Sequence, residues 1–194
     1  INTHTDNLLD LVDNIVDLSR IQNNTLVLKK VKFDPAKLFI ALLEKLQAKL
    51  KHEKKSFIDL RYIPYKNKDL RLLLDYNKFW KIVYQLVDNS IKYTETGYIE
   101  FGFHRVNDTN DIEVIVVDTG VGIKKEKLTY VFECFRKIDE QNKLQPGAGL
   151  GLSLVKGLTT LMNGKISIET VSIEEISDNQ AGTTIKITIP DAIA

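Results

Sequence analysis

The sequence predicts an α+β fold that begins with one long helix, and three observations support this class. Apolar residues recur at alternating spacings of four and three between positions 2 and 22, which is typical of a long amphipathic helix. Two further helical patterns cover residues 35–53 and 77–94. Alternating apolar residues predict a β-hairpin at 98–106 and 112–118, which two closing strands follow.

The composition is that of a globular protein and excludes several classes. Of the 194 residues, 43% are hydrophobic, enough for one sizeable core, and the net charge of +1 does not indicate a nucleic-acid surface. No apolar run approaches the roughly 20 residues of a membrane span. Because Cys134 is the only cysteine, an internal disulfide is excluded, which suits a reducing compartment. We expect a cytoplasmic fragment that contacts neither membrane nor nucleic acid, and we leave inner-membrane anchoring of the parent protein open.

The N-terminal helix has two interpretations. Its apolar face consists of Leu8, Leu11, Val12, Ile15, Val16, Leu18, Ser19 and Gln22. This face suits either packing on its own domain or a bundle with helices outside this chain. We favour the bundle because the face is long and terminal. Since the chain starts inside this pattern, we expect it to be a piece of a longer protein.

Local signals place the remaining elements. Asp34-Pro35 predicts an N-cap with proline at the first position of the second helix. Asn77 opens the third helix, and Asn163-Gly164 predicts a tight turn. Strand patterns lie at 26–33, 56–62, 70–75, 165–171 and 183–190, and helical patterns at 124–131 and 150–162.

The third helix carries an unusual polar face. Gln85, Asp88, Asn89 and Lys92 follow one another at spacings of three and four. A solvated face is the ordinary explanation, but here amide, carboxylate and cation converge just before a glycine turn. Asn89 can offer its carbonyl oxygen to Mg²⁺, and Lys92 can neutralise a phosphate. Tyr93 can pack on a ligand ring or belong to the core.

Asp118 ends a predicted strand and precedes the sequence Thr-Gly-Val-Gly-Ile. A buried carboxylate needs a hydrogen-bond donor, and an adenine amino group is a donor that guanine lacks at that position. Gly120 and Gly122 let the backbone approach a flat ligand closely. The alternative is an aspartate that caps its own loop, because Asp-x-Gly is common in turns.

A second glycine cluster, at 147–152, opens the fourth helix. Backbone amides at a helix N-terminus, together with the helix dipole, form an anion site. A hinge is the alternative explanation. The spacing differs from that of a dinucleotide-binding loop, and no Gly-Lys-Ser/Thr follows, which excludes the phosphate-loop NTPases.

The stretch between 123 and 147 has little periodicity. Because loops longer than about 12–15 residues are usually lids or binding loops, we expect a lid over the pocket. Phe132 and Phe135 would anchor this lid, and Arg136 and Lys137 would face a γ-phosphate. A small hydrophobic cluster with exposed cations explains these residues equally well.

Five segments, in order, resemble the boxes of the catalytic, ATP-binding domain of sensor histidine kinases, in the superfamily shared with gyrase, Hsp90 and MutL. Residues 86–94 resemble the N box, 118–123 the G1 box, 132–135 the F box, 147–152 the G2 box and 182–185 the final glycine box. The resemblance implies a Bergerat-type ATP-binding fold, a two-layer α/β sandwich with a mixed sheet packed on helices.

The resemblance also implies a domain division and roles for individual residues. Residues 1–24 would be the second helix of the dimerisation and phosphotransfer hairpin, and residues 25–194 the catalytic domain. Asn89 would hold Mg²⁺, Lys92 would meet phosphate and Asp118 would bind the adenine amino group. The other residues placed around ATP are Tyr93, Gly120, Gly122, Ile123, Phe135, Arg136, Lys137, Gly147, Gly149, Leu150, Gly151, Leu152 and Thr184.

Two departures from the family pattern matter. Gln85 stands where the N box usually carries asparagine, so its role at the metal stays open; it also lacks the basic carboxylate of the ATPase branch, so hydrolysis should be poor. None of His4, His52 and His104 has the context of a phosphoacceptor. We expect this chain to bind ATP without phosphorylating itself.

The resemblance further implies that the parent protein is an ATP:protein-histidine phosphotransferase in two-component signalling. It would form homodimers through its hairpin and pass phosphate to the receiver domain of a response regulator. The alternative is a nucleotide-binding regulatory or scaffold module without transfer activity.

Overall fold

The computed structural model describes residues 3–134, 149–173 and 181–194, with side chains from Leu8 onward. Helices and strands form two layers, as predicted. The helices are α1 (Thr3–Gln22), α2 (Pro35–His52), α3 (Tyr76–Tyr93) and α4 (Gly151–Leu161). The strands are β1 (Val31–Phe33), β2 (Ile58–Ile63), β3 (Leu72–Leu74), β4 (Gly97–Arg105), β5 (Ile112–Asp118), β6 (Lys165–Val171) and β7 (Gly182–Ile189), and a 3-10 turn covers Lys125–Lys127.

A mixed five-stranded sheet forms one layer, in the order β2-β4-β5-β7-β6. β2 and β4 are parallel and the other pairs antiparallel, while β1 and β3 form a separate two-stranded sheet. Alternate residues of β5, from Ile112 to Asp118, are buried against the helices. Phe39 of α2 packs on Phe79 of α3 and Phe101 of β4 in this core. The predicted α+β sandwich is therefore confirmed.

Three predicted elements differ from the structure. The strand expected at 26–33 is limited to β1, because the backbone N–H of Lys29 donates to the Asp75 carboxylate at 2.8 Å instead of to a strand. Asp75 caps α3, which therefore begins at Tyr76 rather than Asn77. The short helix expected at 124–131 is a 3-10 turn.

One side of α1 packs on the rest of the chain, and its interpretation as a bundle helix stays a prediction. Leu18 belongs to the buried core, and Leu11 and Ile21 pack against it. The opposite side of α1 is exposed, and its large apolar residues are Leu8, Leu9, Val12, Ile15 and Val16. In the part of the chain that the structure describes, no helix has both the length and the apolar character that a membrane crossing requires.

Candidate functional site

Helix α3 carries the polar residues of the candidate site to the end of β5. Its buried face, which includes Phe79, Ile82 and Leu86, packs on the sheet. The hydroxyl of Ser90 donates to Asp118 Oδ2 at 2.8 Å, a contact that joins the last turns of α3 to the end of β5. Asn89 is the neighbour of Ser90 in the sequence, so the structure brings the predicted metal ligand and the predicted adenine acceptor into one region.

Asp118 is a buried acceptor with room for one more donor. It is 9% exposed, and its Oδ1 accepts the N–H of Gly120 at 3.0 Å. Burial raises the pKa of Asp118, although hydrogen bonds from Ser90, Gly120 and Thr183 act in the opposite direction. Asp118 does cap its own loop, as the alternative interpretation has it. Because each carboxylate oxygen has two lone pairs, a ligand amino group can still be accepted.

The loop after Asp118 lies against the end of α3. The N–H of Val121 donates to the Tyr93 carbonyl at 3.2 Å. A Cβ at Gly120 would lie 2.5 Å from the same oxygen and 2.9 Å from Thr94 Oγ1, so only glycine fits. Among the described residues, Thr94 Oγ1 is buried without a hydrogen-bond partner. A bound ligand or its water can satisfy such a hydroxyl.

The other side of this loop contacts β6. Gly122 has a φ of 67°, and a Cβ there would overlap the carbonyl of Val171. The N–H of Ile123 donates to Thr170 Oγ1 at 2.8 Å. The loop therefore bridges α3 and β6 and forms one side of the region around Asp118.

The start of α4 lies directly against two amide side chains. A Cβ at Gly151 would be 2.8 Å from Gln85 Oε1 and 3.5 Å from Asn89 Oδ1. Leu150 occupies the N-cap position, and no side chain in the described ranges caps this helix. Gly149, with a φ of 69°, precedes it. Leu152 of the first turn packs on the core, so uncapped amide donors and two amide oxygens meet at one place.

The donor set at this place fits Mg²⁺. Mg²⁺ prefers oxygen ligands and usually takes one or two from the protein, with phosphates and waters supplying the rest. Gln85 and Asn89 offer amide oxygens of this kind. Within the residues that the structure describes, no three His, Cys, Asp or Glu side chains cluster as a metal cage. The arrangement therefore suits a metal that is bound together with a phosphorylated ligand.

Lys92 lies near the site but pairs with a carboxylate. Its Nζ is 2.5 Å from Asp88 Oδ2, and the ammonium group of Lys49 pairs with Asp88 Oδ1. Burial would raise the pKa of Asp88, but the charges of Lys92 and Lys49 outweigh it and lower the pKa. The spacing of four residues signals the pair with Lys92 in the sequence, whereas nothing in the sequence signals Lys49.

The structure does not place the Thr184 side chain with Asp118. In the β5–β7 ladder Asp118 pairs with Thr183 and Val117 pairs with Thr184. Directly paired residues project on the same face of a sheet. Thr183 is buried on the Asp118 face. The contact of Thr184 with adenine stays a prediction. The alternation could have shown that Thr183 lies on this face, because Thr183 has the parity of the apolar Ile185. Ser90, which lies on the buried face of α3, was not predicted as a partner of Asp118 because nothing in the local sequence signals that contact.

Much of the predicted lid is outside the described residues, including Phe135, Arg136 and Lys137; Gly147 also lies outside them. Phe132 is described and half-buried. The Nζ of Lys156, on α4, lies 5.5 Å from the centre of the Phe132 ring. This contact connects the described part of the predicted lid to the helix that opens at Gly151.

Known proteins resemble the chain over nearly its whole length. It is 28% identical over 195 residues to the hybrid signal transduction protein dokA of Dictyostelium discoideum, covering 97% of this chain and 12% of dokA. It is 31% identical over 173 residues to the sensor protein GacS of Pseudomonas syringae pv. syringae, covering 87% of this chain and 19% of GacS. The chain thus spans less than a fifth of the length of either relative.

A solved structure supports the same fold. Full-length ShkA, crystallised in complex with AMPPNP, matches with a TM-score of 0.78 at 23% identity, covering 97% of this chain and 37% of ShkA. The family model described as "Histidine kinase-, DNA gyrase B-, and HSP90-like ATPase" matches residues 74–193. This range contains α3, the loop after Asp118 and the start of α4. The chain belongs to the family of histidine kinase-, DNA gyrase B- and HSP90-like ATPases.

Proposed function

We propose that this chain binds ATP together with Mg²⁺ and is the catalytic domain of a sensor histidine kinase. The proposal is based on the proximity of three groups: the Asp118 carboxylate, the Asn89 amide and the N-terminus of α4. Asp118, a buried acceptor, accepts a hydrogen bond from Ser90, and Asn89, the residue before Ser90, lies against the uncapped start of α4. GacS is named a sensor protein and ShkA is described in complex with AMPPNP, which supports the proposal.

Each group has a role in this proposal. Asp118 accepts a hydrogen bond from the adenine amino group, and Thr183 lies on the same face of the sheet. The amides at Gly151 and the ammonium of Lys92 face the phosphates. Gln85 and Asn89 would hold Mg²⁺, which supplies positive charge to the triphosphate.

The proposed reaction is phosphoryl transfer to a histidine of the dimerisation hairpin. The imidazole nitrogen forms a bond to the γ-phosphorus while the bond to the β–γ bridging oxygen breaks, and ADP leaves. Gln85 has no carboxylate to activate water, which favours transfer over hydrolysis. We further propose that the receiver domain of a response regulator accepts the phosphoryl group, and that this occurs in the cytoplasm.

In this proposal helix α1 is the second helix of the hairpin and packs against its first helix. Leu8, Val12 and Ile15 lie on its exposed side and are between 43% and 61% exposed. The first helix of the hairpin, and the partner protomer of a homodimer, would cover them. In this proposal residues 1–24 belong to the hairpin and residues 25–194 to the catalytic domain.

Titration calorimetry with ATP tests the binding proposal. Asp118→Asn should weaken ATP binding by about 10- to 100-fold, the effect of losing a charged hydrogen bond. Asp108→Asn, in the turn at the far end of the same hairpin, is the control and should bind like the wild type. Equal affinity in both variants would refute the role of Asp118. Radiolabelled ATP and a separately supplied hairpin then test transfer, since binding without acid-labile label on the hairpin would favour the scaffold function.

A further inference from the structure

Asp88 lies between two lysines at the seam of α2 and α3. It is 4% exposed. Its Oδ2 is 2.5 Å from the Nζ of Lys92, one turn further along α3, and its Oδ1 pairs with Lys49 of α2. The side chains of Lys49 and Lys92 are 24% and 25% exposed. The Nζ of Lys49 also lies 3.6 Å from Oε1 of the more exposed Glu53. Taken alone, the cluster Lys49–Asp88–Lys92 has a net charge of +1 and limited access to water.

The two lysines have different positions relative to the proposed ATP site. Lys92 lies on the helix that carries Asn89, whereas Lys49 approaches Asp88 from α2. A buried carboxylate with a single cation holds that cation tightly, since separating the pair leaves an uncompensated buried charge. With Lys49 in place, Asp88 stays paired when Lys92 turns toward a phosphate.

Packing and a hydrogen bond fix the part of α2 that carries Lys49. Leu46 and Leu50, on either side of it, are buried in the core. Lys55, just beyond α2, donates to the carbonyl of Ile91 at 2.5 Å and so fixes the end of α3 against the end of α2. Burial would lower the pKa of Lys49, but the charge of Asp88 outweighs it and raises the pKa, so Lys49 remains charged.

We propose that Lys49 is a positioning residue for nucleotide phosphates: it compensates Asp88 and thereby allows Lys92 to exchange Asp88 for the phosphate chain. The proposal rests on ATP binding at the candidate site. It concerns phosphates alone, because Lys49 lies on α2 and its ion pairs in the described part of the chain are with Asp88 and Glu53, not with Asp118 or its loop. Loss of Lys49 should therefore weaken ATP binding and leave the binding of adenosine unchanged.

The test compares ATP and adenosine binding by calorimetry in the 194-residue chain. Lys49→Met should raise the Kd for ATP about tenfold, as expected for a charged hydrogen-bond network, and should leave the Kd for adenosine unchanged. Lys45→Met is the matched control: Lys45 lies one turn earlier on α2, 4.8 Å above the Tyr84 ring, and loses the same charge. Lys45→Met should bind both ligands like the wild type.

Two further variants separate positioning from a purely structural role. Lys49→Arg keeps the cation and should restore ATP binding. Asp88→Asn removes the carboxylate that needs compensation, so the double variant of Lys49→Met with Asp88→Asn should bind ATP about as tightly as the wild type. Because Asp88→Asn alone should bind ATP at least as tightly as the wild type, this single variant tests the proposal even where Lys49→Met does not fold.

The outcomes distinguish this proposal from the proposed function. Equal loss of ATP and adenosine binding in Lys49→Met, weaker ATP binding in Asp88→Asn, or wild-type ATP binding in Lys49→Met would each overturn the positioning role of Lys49. Absence of ATP binding in the wild-type chain would instead overturn the proposed function.

Discussion

Replacing Asp17 with asparagine should loosen α1 from the rest of the chain. Asp17 is 5% exposed, and its two oxygens lie 2.7 Å from the Nζ of Lys78 and 2.7 Å from the Nζ of Lys81, both on α3. The neighbouring Leu18 is buried in the core. These contacts fix the last turns of α1. Because asparagine has no charge, the variant loses both ion pairs with the lysines of α3.

The size of the effect follows from the exposure of the partners. Removing one member of a buried ion pair costs about 3–5 kcal/mol, whereas exposed pairs contribute about 0–1 kcal/mol. The side chains of Lys78 and Lys81 are 22% and 24% exposed, so water can partly solvate them once Asp17 is gone. We therefore expect a loss of about 2 kcal/mol, or a Tm lower by about 4–8 °C for a chain of this length.

Urea unfolding measures this loss. Trp80, the single tryptophan, lies on α3 between the two lysines and reports the transition by fluorescence. Asp13→Asn is the matched control, because Asp13 is an exposed acid one turn earlier on α1. Equal midpoints for the two variants would refute the stabilising role of the Asp17 ion pairs.

The dependence of folding stability on pH is a second test of the role of Asp17. Burial would raise the pKa of Asp17, but hydrogen bonds and charges of Lys78 and Lys81 outweigh it, so the pKa falls below its ordinary value of 3.8. A lowered carboxyl pKa stabilises the folded state above pH 3.8, and this stabilisation is lost as the pH falls through the folded-state pKa. The stability difference between the wild type and Asp17→Asn should therefore be full near neutral pH and disappear in acid.

Two further predictions concern the candidate site. Asn89→Ala should abolish the tightening of ATP binding by Mg²⁺, which is measured as the ratio of the Kd values with and without the metal. An unchanged ratio would contradict the role of Asn89 as a metal ligand. The same measurement on Gln85→Ala shows whether the second amide contributes. Gly122→Ala should destabilise the chain by about 1–3 kcal/mol in urea unfolding, because φ is 67° and the new Cβ would overlap the Val171 carbonyl. Gly157→Ala is its control, since that Cβ would meet only the Ile21 side chain; equal costs would contradict the steric argument.

Local signals were sufficient for most of the fold. Asp34 accepts the N–H of Ala36 and begins α2, as the Asp-Pro pair predicts. The strands of the hairpin lie within one residue of their predicted bounds, because apolar alternation reports which face of a strand is buried. The segment 26–30 was mispredicted because its polar partner, Asp75, is distant in sequence. Alternation alone cannot show whether a strand has a neighbour.

The candidate site was predictable where a motif is local. Asn89, Asp118 and Gly151 lie in short segments of recognisable spacing, and the structure brings them together. Thr183 was not predicted at the site, although strand parity places it on the face of Asp118. Lys49 lies 39 residues from Asp88, outside any motif, and becomes visible only when α2 packs against α3.

Asp17 and Asp88 show why such partners escape sequence reasoning. Each is an acid on an amphipathic helix, where the ordinary expectation is contact with water, and each is instead buried at a helix seam between two lysines. Both seams involve α3: Lys78 lies near its start and Asp88 near its end. At 1.5 Å per residue, Lys78 and Asn89 are about 16 Å apart along the helix axis. We therefore expect the position of the amides proposed to bind Mg²⁺ to depend on ion pairs at both ends of α3. A chain with the same motif but without these lysines would lack those ion pairs.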